Sequence, residues 1–135
     1  MSDHESALQA MLIARMASDE TLQALLGDPA RIWDEPPANP AWPHLLIGRS
    51  ESRVVPAEGC GVEHVLSLNC VSRFGGSEEA KAICAAVRAR LNEAALSGHG
   101  VRTVSLRVTF SDVFRSGDLR RTYGVMRVRA VTEDL

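Results

Sequence analysis

Residues 62–100 constrain the fold of this chain most, because a strand pattern, a glycine-containing turn and a helix pattern follow one another directly. The first part alternates with a period of two, which is typical of a strand covered on one face. The side chains predicted to face the core are His64, Leu66, Leu68 and Cys70. Residues 73–76, with two consecutive glycines, end the alternation. They predict a turn after a half-buried strand.

The turn leads into a predicted helix over residues 77–96. Ser77 stands where an N-cap oxygen can accept backbone N–H groups, and Glu78 and Glu79 favour the positive end of the helix dipole. Two glycines soon after residue 96 end the pattern. The apolar residues recur at helical spacing, at Ala80, Ile83, Cys84, Val87, Leu91 and Ala95. One face of this helix is therefore expected to lie on a sheet.

Length and composition fit one domain spanning residues 1–135. With 135 residues, 45% of them hydrophobic, the chain can bury a core. It begins without the basic region of a signal peptide, and no apolar run approaches the roughly 20 residues needed to cross a membrane. Three cysteines without regular spacing indicate reduced thiols rather than a disulfide framework. We therefore expect a soluble cytoplasmic protein without a membrane segment.

The first third of the chain reads as helical. Apolar residues at helical spacing over residues 6–26 predict one bent helix or two short ones, because Ser18, Asp19 and Glu20 supply an internal capping signal. The helical pattern ends at residues 27–29, Gly-Asp-Pro, since glycine accepts a left-handed cap and proline cannot continue a helix.

A proline-rich segment follows a predicted short edge strand at residues 31–33. Residues 35–43 contain four prolines, which fix an extended path and exclude a helix. Trp33 and Trp42 flank the prolines and are expected to cover an edge of the core. A proline-rich recognition motif is the alternative.

Three further patterns predict strands. Residues 44–50 include three consecutive aliphatic side chains and fit a central strand covered on both faces. Residues 51–61 mix charges, proline and glycine, and predict a loop or a loosely formed hairpin arm. Alternation over residues 103–110 and 122–132 predicts two long strands. Together these elements predict an α+β fold: a mostly antiparallel sheet with an N-terminal helix and one main helix packed on one face.

Two patterns that could carry chemistry have simpler structural explanations. The turn at residues 75–77 resembles a phosphate cradle, but Glu78 and Glu79 place two carboxylates where a phosphate would lie. Cys60 and His64 have a zinc-like spacing, but the sequence nearby does not complete the four ligands that a structural zinc site needs. We therefore predict no catalytic, cofactor or metal site and no enzymatic activity. A small ligand- or metal-binding domain using Cys60 and His64 is the alternative.

The charge is unevenly distributed along the chain. The net charge of −2 gives no global field that would attract nucleic acid. Residues 1–98 hold 8 basic and 13 acidic side chains, a net −5, whereas residues 99–135 hold 7 and 4, a net +3. This separation fits either chance scatter or a complementary contact between copies. Arg107, Arg127 and Arg129 are expected on the polar face of the last two strands, where they would bind phosphate or form salt bridges.

The segment between the last two predicted strands, residues 111–121, is longer than the usual hairpin loop of about two to five residues. Apolar side chains surrounded by arginines resemble an interface hot spot. We predict an assembly loop that contacts acidic surface on a neighbouring protein through Val113, Phe114, Arg115, Leu119, Arg120 and Arg121. The alternative is that both strands run longer and bury Val113 and Phe114 in the sheet.

The pattern as a whole resembles the tail terminator, or tail completion, family of long-tailed phages and gene transfer agents. The residues that carry the resemblance are spread over nearly the full chain: Leu25-Leu26-Gly27-Asp28, Arg31-Ile32, residues 43–48, Glu63-His64, Leu66, Leu68, Ser72-Arg73, Gly75-Gly76, Glu79-Ala80-Lys81, Val87-Arg88-Ala89, Leu91, Gly124-Val125, residues 127–130 and Thr132-Glu133. They shape the fold and include no catalytic signature.

The resemblance implies a structural virion protein that assembles into a ring, by family analogy a hexamer. Such a ring caps the tail tube, stops its polymerisation and joins it to the head connector. The implied partners are further copies of the chain, the tail tube protein and the head-tail connector or stopper protein. DNA would pass through the ring without specific binding. A connector or stopper ring of the same neck is the alternative, and fold likeness alone does not separate the two.

Overall fold

The computed structural model describes residues 3–55, 61–73, 77–118 and 120–135. Within them lie the helices α1 (His4–Ala17), α2 (Glu20–Leu26) and α3 (Glu78–Leu91), and the strands β1 (Ile32–Trp33), β2 (His44–Val55), β3 (Gly61–Ser72), β4 (Ser97–Gly98), β5 (Val101–Arg115) and β6 (Thr122–Asp134).

All six strands form one sheet in the order β1-β2-β3-β6-β5-β4. The short β1 runs parallel to β2 and every other neighbouring pair is antiparallel. The predicted α+β fold with a mostly antiparallel sheet is confirmed, although the β1 pair makes the sheet mixed. The helices cover one face, and their buried side chains share one core with the inward-facing residues of β2, β3, β5 and β6.

The two central strands are β3 and β6. The alternation predicted for β3 is confirmed, since His64, Leu66, Leu68 and Cys70 are all buried. The expectation that residues 44–50 form a central strand is wrong, because β1 pairs only with Leu45 and Leu46 of β2. The consecutive aliphatic residues alternate between the faces: Leu45 and Ile47 lie in the core, and Leu46 on the opposite face is half-buried.

Helix α3 carries the predicted buried stripe but is shorter than predicted. It ends at Leu91, and the following segment turns onto the edge of β5. There the Asn92 side-chain oxygen accepts the Val108 N–H (2.7 Å) and the Glu93 N–H donates to the Leu106 carbonyl (2.8 Å). These bonds to the strand replace further helical bonds. Ala95 is therefore exposed rather than part of the stripe.

The start of α3 is also held differently from the prediction. Ser77 occupies the N-cap position, but its side chain makes no capping hydrogen bond. The carboxylate of Glu79 instead accepts the hydroxyl of Ser72 at 2.6 Å, which joins the first turn of the helix to the end of β3.

The N-terminal helical region is two helices, as the internal capping signal allowed. Asp19 caps α2 by accepting the Leu22 N–H at 2.9 Å. Gly27 ends α2 with φ at +91°, a left-handed conformation that favours glycine. Both helices bury apolar side chains completely or nearly so, namely Leu8, Leu12, Met16, Leu22 and Leu26.

Two predicted loops are partly strand. Residues 51–55 continue β2 and pair with β3 down to Val55 opposite Gly61, which agrees with the predicted hairpin arm. The rest of that predicted segment, residues 56–60, lies outside the described residues. Residues 111–115 continue β5 and pair with β6, which leaves residues 116–121 as the connection. The register shifts between Val108 and Phe110, and this bulge moves the inward-facing positions from even to odd numbers. A strict period of two therefore ends there although the strand continues.

A buried polar cluster joins α1 to the sheet. Thr132 Oγ1 lies 2.7 Å from His4 Nδ1 and 2.8 Å from His64 Nε2, and all three residues are buried. His4 Nε2 also lies 3.1 Å from a carboxylate oxygen of Asp134. One threonine hydroxyl thus connects the first helix with both central strands.

Candidate assembly surface

The sheet face opposite the helices is the candidate site. No helix in the described ranges covers it, and we call it the open face. Its character changes along the strands. The end where β2 begins and β5 finishes, here called the aromatic end, carries Trp33, Trp42, His44, Phe114 and Tyr123. The opposite end, here called the charged end, carries Arg53, Glu63, Arg102, Arg129 and Glu133.

Strand register assembles the aromatic end. His44, Val71, Tyr123 and Phe114 lie opposite one another on four neighbouring strands. The rings of Phe114 and Tyr123 are 5.7 Å apart, and the His44 ring lies 5.4 Å from Trp33 and 5.0 Å from Trp42. These are ordinary contact distances for aromatic pairs. The rings thus form two contacting groups in one row across the sheet, on either side of Val71.

The proline-rich segment is fixed to this row. Arg31 donates from Nε to the Pro43 carbonyl (2.8 Å) and from Nη2 to the Trp42 carbonyl (3.2 Å). The guanidinium of Arg121 stacks over the Trp42 ring at 4.6 Å. A cation over an indole face is attracted by the ring quadrupole. The proline-rich segment and the β5–β6 turn therefore meet at the same end of the open face.

The β5–β6 turn has internal structure of its own. The Ser116 N–H donates to the Arg121 carbonyl at 2.8 Å. A carboxylate oxygen of Asp118 accepts the Ser116 hydroxyl at 2.5 Å and the Arg120 N–H at 3.1 Å. These hydrogen bonds, that of Ser116 first, lower the pKa of Asp118. Asp118 thus orders the turn.

The structure separates the six residues predicted to form the interface. Val113 is half-buried and packs against the core under the helices, so it is not a surface anchor. Phe114 is 45% exposed on the open face. Arg115 and Arg120 are exposed and form no ion pair with the described residues, whereas Arg121 stacks on Trp42. Leu119 lies outside the described residues.

Ion pairs neutralise most of the charged end. The Glu63 carboxylate accepts hydrogen bonds from Arg129 (3.0 Å) and Arg53 (3.1 Å), and the Arg129 bond is the main cause of its lowered pKa. Arg102 donates to Glu133 at 2.6 Å.

The three arginines predicted on this face favour the salt-bridge interpretation. Arg129 pairs with Glu63, and Arg107 pairs with Glu93 at 3.1 Å. Arg127 lies over the Phe110 ring at 4.8 Å. Each guanidinium therefore already has a partner within the chain, which a phosphate would have to displace.

Sequence reasoning missed the histidine at the centre of the aromatic end. His44 was read only as part of a strand, and the tryptophans as cover for the core edge. Their spacing gives one usable signal, since Trp42 and His44 flank Pro43, which rigidly limits the path between them.

The remaining candidate chemistry finds little support. Burial raises the pKa of the Cys70 thiol to about 12 and also raises that of Cys84, so both behave as core residues. No three His, Cys, Asp or Glu side chains among the described residues are grouped to hold a metal. Cys60, half of the predicted zinc-like pair, lies outside those residues. Within the same residues, no helix is long and apolar enough to cross a membrane.

Comparison with known proteins identifies relatives over almost the whole chain. The family model described as "Tail completion protein gp17" matches residues 10–133. A chain of the solved structure "Virion of native gene transfer agent (GTA) particle" is 26% identical, with a TM-score of 0.85 over 96% of each chain. No curated protein matches the chain.

Proposed function

This chain belongs to the tail completion protein gp17 family, and we propose that its copies form a ring, a hexamer by family analogy, at the head-proximal end of a tail tube. The ring caps the tube, stops its polymerisation and joins it to the head connector or stopper protein. It assembles in the host cytoplasm and remains in the neck of the particle.

The observation that carries this proposal is the match to a gene transfer agent virion chain, which covers 96% of both chains. The fold agrees with a structural role, because the helices cover only one face of the sheet and leave the other for contacts.

The aromatic end is the part of the open face that contacts a neighbouring subunit or the tube protein. It presents an exposed Phe114, with the exposed Arg120 in the adjoining β5–β6 turn and Arg115 at the same end of β5 on the opposite face. Aromatic and arginine side chains dominate interface hot spots. Val113 and Arg121 support this surface from within the chain rather than forming contacts.

Particles assembled without the protein test the function. We expect electron microscopy to find tails of abnormal length and tails detached from heads, and expression of the wild-type chain to restore normal particles. Normal tails on heads that leak DNA would instead assign the chain to the connector or stopper ring. Normal, filled and joined particles would contradict both assignments.

The contact surface is tested by changing Arg115 and Arg120 to glutamate together. The variant should fold as the wild type does, because neither side chain pairs within the described chain, but it should fail to join tails to heads. Lys81→Glu, at an exposed position on α3, provides a charge-reversal control. Wild-type tail joining by the double variant would show that these arginines make no essential contact.

A further inference from the structure

The sheet has two edges that the described residues leave partly unpaired. On β2, the cover by β1 ends at Leu46, so residues 48–55 lie at an edge. On β5, the first half is covered, because the Thr103 N–H donates to the Leu96 carbonyl at 2.8 Å and Val108 donates to Asn92. Residues 109–115 have no described segment beside them. Unpaired strand edges are templates for pairing with another chain.

Hydrogen-bond alternation identifies the backbone groups that point outward from β5. The Ser116 N–H bonds inward to the Arg121 carbonyl across the β5–β6 turn. Because successive residues of an antiparallel strand point to opposite sides, Ser111, Val113 and Arg115 direct their N–H and C=O groups away from the sheet.

The same alternation applies to β2. The Leu45 N–H bonds outward to the Arg31 carbonyl, so the neighbouring residues bond to β3. Beyond the bulge between Ile47 and Ser50, the continued alternation of β3 assigns Glu51 and Arg53 to that strand. The outward-pointing residues of β2 are therefore Ser50, Ser52 and Val54.

We infer that neighbouring copies in the proposed ring join through these two edges, with residues 111–115 of one copy paired antiparallel to residues 50–54 of the next. The inference rests on the proposed ring and names the surface that builds it. The two edges belong to the outer strands of a group of four long strands, β2, β3, β6 and β5. In an antiparallel sheet with an even number of strands, the residues that point outward at the two edges have their side chains on the same face. Here that face is the helix side. A second copy therefore continues the sheet with its helices on the same face.

Charge selects the register of this pair. With Ser52 opposite Val113, Arg53 lies directly opposite Asp112 on the open face, and opposite charges at such positions stabilise a strand pair. A shift of two residues in one direction places Glu51 opposite Asp112, which is unfavourable. A shift in the other direction places Val55 there and loses the attraction.

The two edges lie at different heights, which fits a closed ring of tilted strands. Asp112 is level with Asn69 of β3, whereas Arg53 is level with Glu63, roughly 20 Å further along the same strand. Four strands span roughly 19 Å across the sheet. Joining the edges therefore tilts the strands by about 45° from the ring axis, close to the tilt found in closed sheets. A head-to-tail contact of this kind closes when the rotation per subunit completes a circle.

Engineered disulfides test the pairing. Arg53→Cys and Asp112→Cys are introduced together into a Cys60→Ser chain, in which the remaining thiols, Cys70 and Cys84, are buried. Directly opposite residues of a non-hydrogen-bonded pair are about 4.5 Å apart at Cα, within disulfide range. Within one copy the two positions are separated by two strands and by most of the strand length. Mild oxidation should therefore give covalent oligomers up to the ring size on non-reducing gels.

The controls separate the edge pairing from the ring itself. Arg53→Cys with Arg107→Cys in the same background should give no ladder, since residue 107 lies on the covered half of β5. Wild-type rings that form without cross-linking at residues 53 and 112 would overturn the edge pairing alone. A wild-type protein that stays monomeric at assembly concentrations would overturn the proposed ring.

A backbone variant gives a second test. Ser52→Pro removes an N–H that points outward, so the monomer should keep its fold while the ring is lost. Ser52→Ala loses the same side-chain hydrogen bond to Glu5 and should still form rings. Mass photometry measures the oligomeric state of both variants. Normal rings from a folded Ser52→Pro variant would contradict the pairing.

Discussion

Gly124 determines how closely helix α3 approaches the sheet. A Cβ atom at this position would lie 2.9 Å from Cys84 Sγ, closer than real Cβ atoms approach, and 3.3 Å from Cys70 Cβ, which is a tight contact. The glycine and the two small buried cysteines thus form one tight contact between α3, β3 and β6. This explains why small side chains occupy both cysteine positions.

We predict that Gly124→Ala destabilises the protein by about 1–3 kcal/mol, because overpacking forces the helix away from the sheet. Chemical denaturation measures the change. Gly117→Ala is the matched control, since nothing lies within 4 Å of a Cβ added there. Adding Cys84→Ala to the Gly124→Ala variant should recover part of the loss, and equal stability of the two glycine variants would contradict the proposed contact.

His64 makes the stability depend on pH. Burial lowers its pKa below the usual 6.5, with the His4 ring adding to this effect and the Glu5 carboxylate opposing it. The folded state therefore keeps the ring neutral while the unfolded state binds a proton below pH of about 6.5. Stability contributed by the neutral ring is present above that pH and is lost as the pH falls towards the folded-state pKa.

We expect the free energy of unfolding to decrease between pH 7 and about 5.5, before most carboxylates titrate. His64→Gln removes the titrating ring and should flatten the slope over this range even though it lowers stability at pH 7. Denaturant melts at several pH values provide the measurement. The same slope in both proteins would assign the pH dependence to other groups.

The sequence predicted which side His64 faces but not what it touches. The period of two places its ring inward, whereas its partners come from Thr132 and from His4 of another element. Arg121 illustrates the same limit, because its stacking on Trp42 depends on the sheet order. Local spacing fixes the direction of a side chain, and long-range contacts fix its partners.

At the scale of elements, α3 is the main support of the core. Ile83, Val87 and Leu91 are completely buried, and the helix contacts β3, β5 and β6 as well as both other helices. Periodicity predicted this face well, because an amphipathic stripe is a local property. The helix end was predicted five residues too late, since the chain leaves the helix to bond with β5.

Ile83→Ala should reduce the free energy of unfolding by about 2–5 kcal/mol through loss of apolar contacts and the cavity left behind. Lys81→Ala, on the exposed side of the same helix, should change it little. Thermal and denaturant unfolding of both variants check this prediction. If the Ile83→Ala variant is as stable as the wild type, the conclusion that α3 packs in the core is wrong.

The strands were predicted correctly where the alternation of apolar and polar residues is unbroken. Where a bulge interrupts the alternation, the continuation of the strand was missed. In β5 the residues beyond Val108 face the opposite way from the extrapolated pattern, so a real strand was read as a loop. Val113 therefore was predicted as an exposed anchor although it faces the core. A bulge is set by the fit of a strand to its neighbour, which a single strand's sequence does not reveal.

At the scale of the whole molecule, ion pairs within the chain neutralise part of the uneven charge of the sequence. Glu63 and Glu93 from the acidic portion pair with Arg129 and Arg107 from the basic portion. The complementary contact between copies predicted from the sequence stays a prediction, and it now depends on the arginines that these pairs leave free.

We expect the isolated protein to bind duplex DNA weakly and without sequence preference, because a chain of net charge −2 releases few counterions. Dissociation constants should be micromolar or weaker near physiological salt. Fluorescence anisotropy with two unrelated duplexes measures this. A submicromolar affinity for one of them would indicate a regulatory DNA-binding protein instead.

The place of β6 in the sheet has a consequence for synthesis. This strand lies between β3 and β5, yet it leaves the ribosome after both of them. Until it arrives, β3 lacks one neighbour, β5 lacks its only long partner, and His4 and His64 lack the threonine that they share. The nascent chain can form its β2–β3 hairpin and its helices but not its sheet. Completion of the sheet thus waits for the synthesis of β6, so that a ribosome stalled before residue 122 presents no finished subunit to a growing particle.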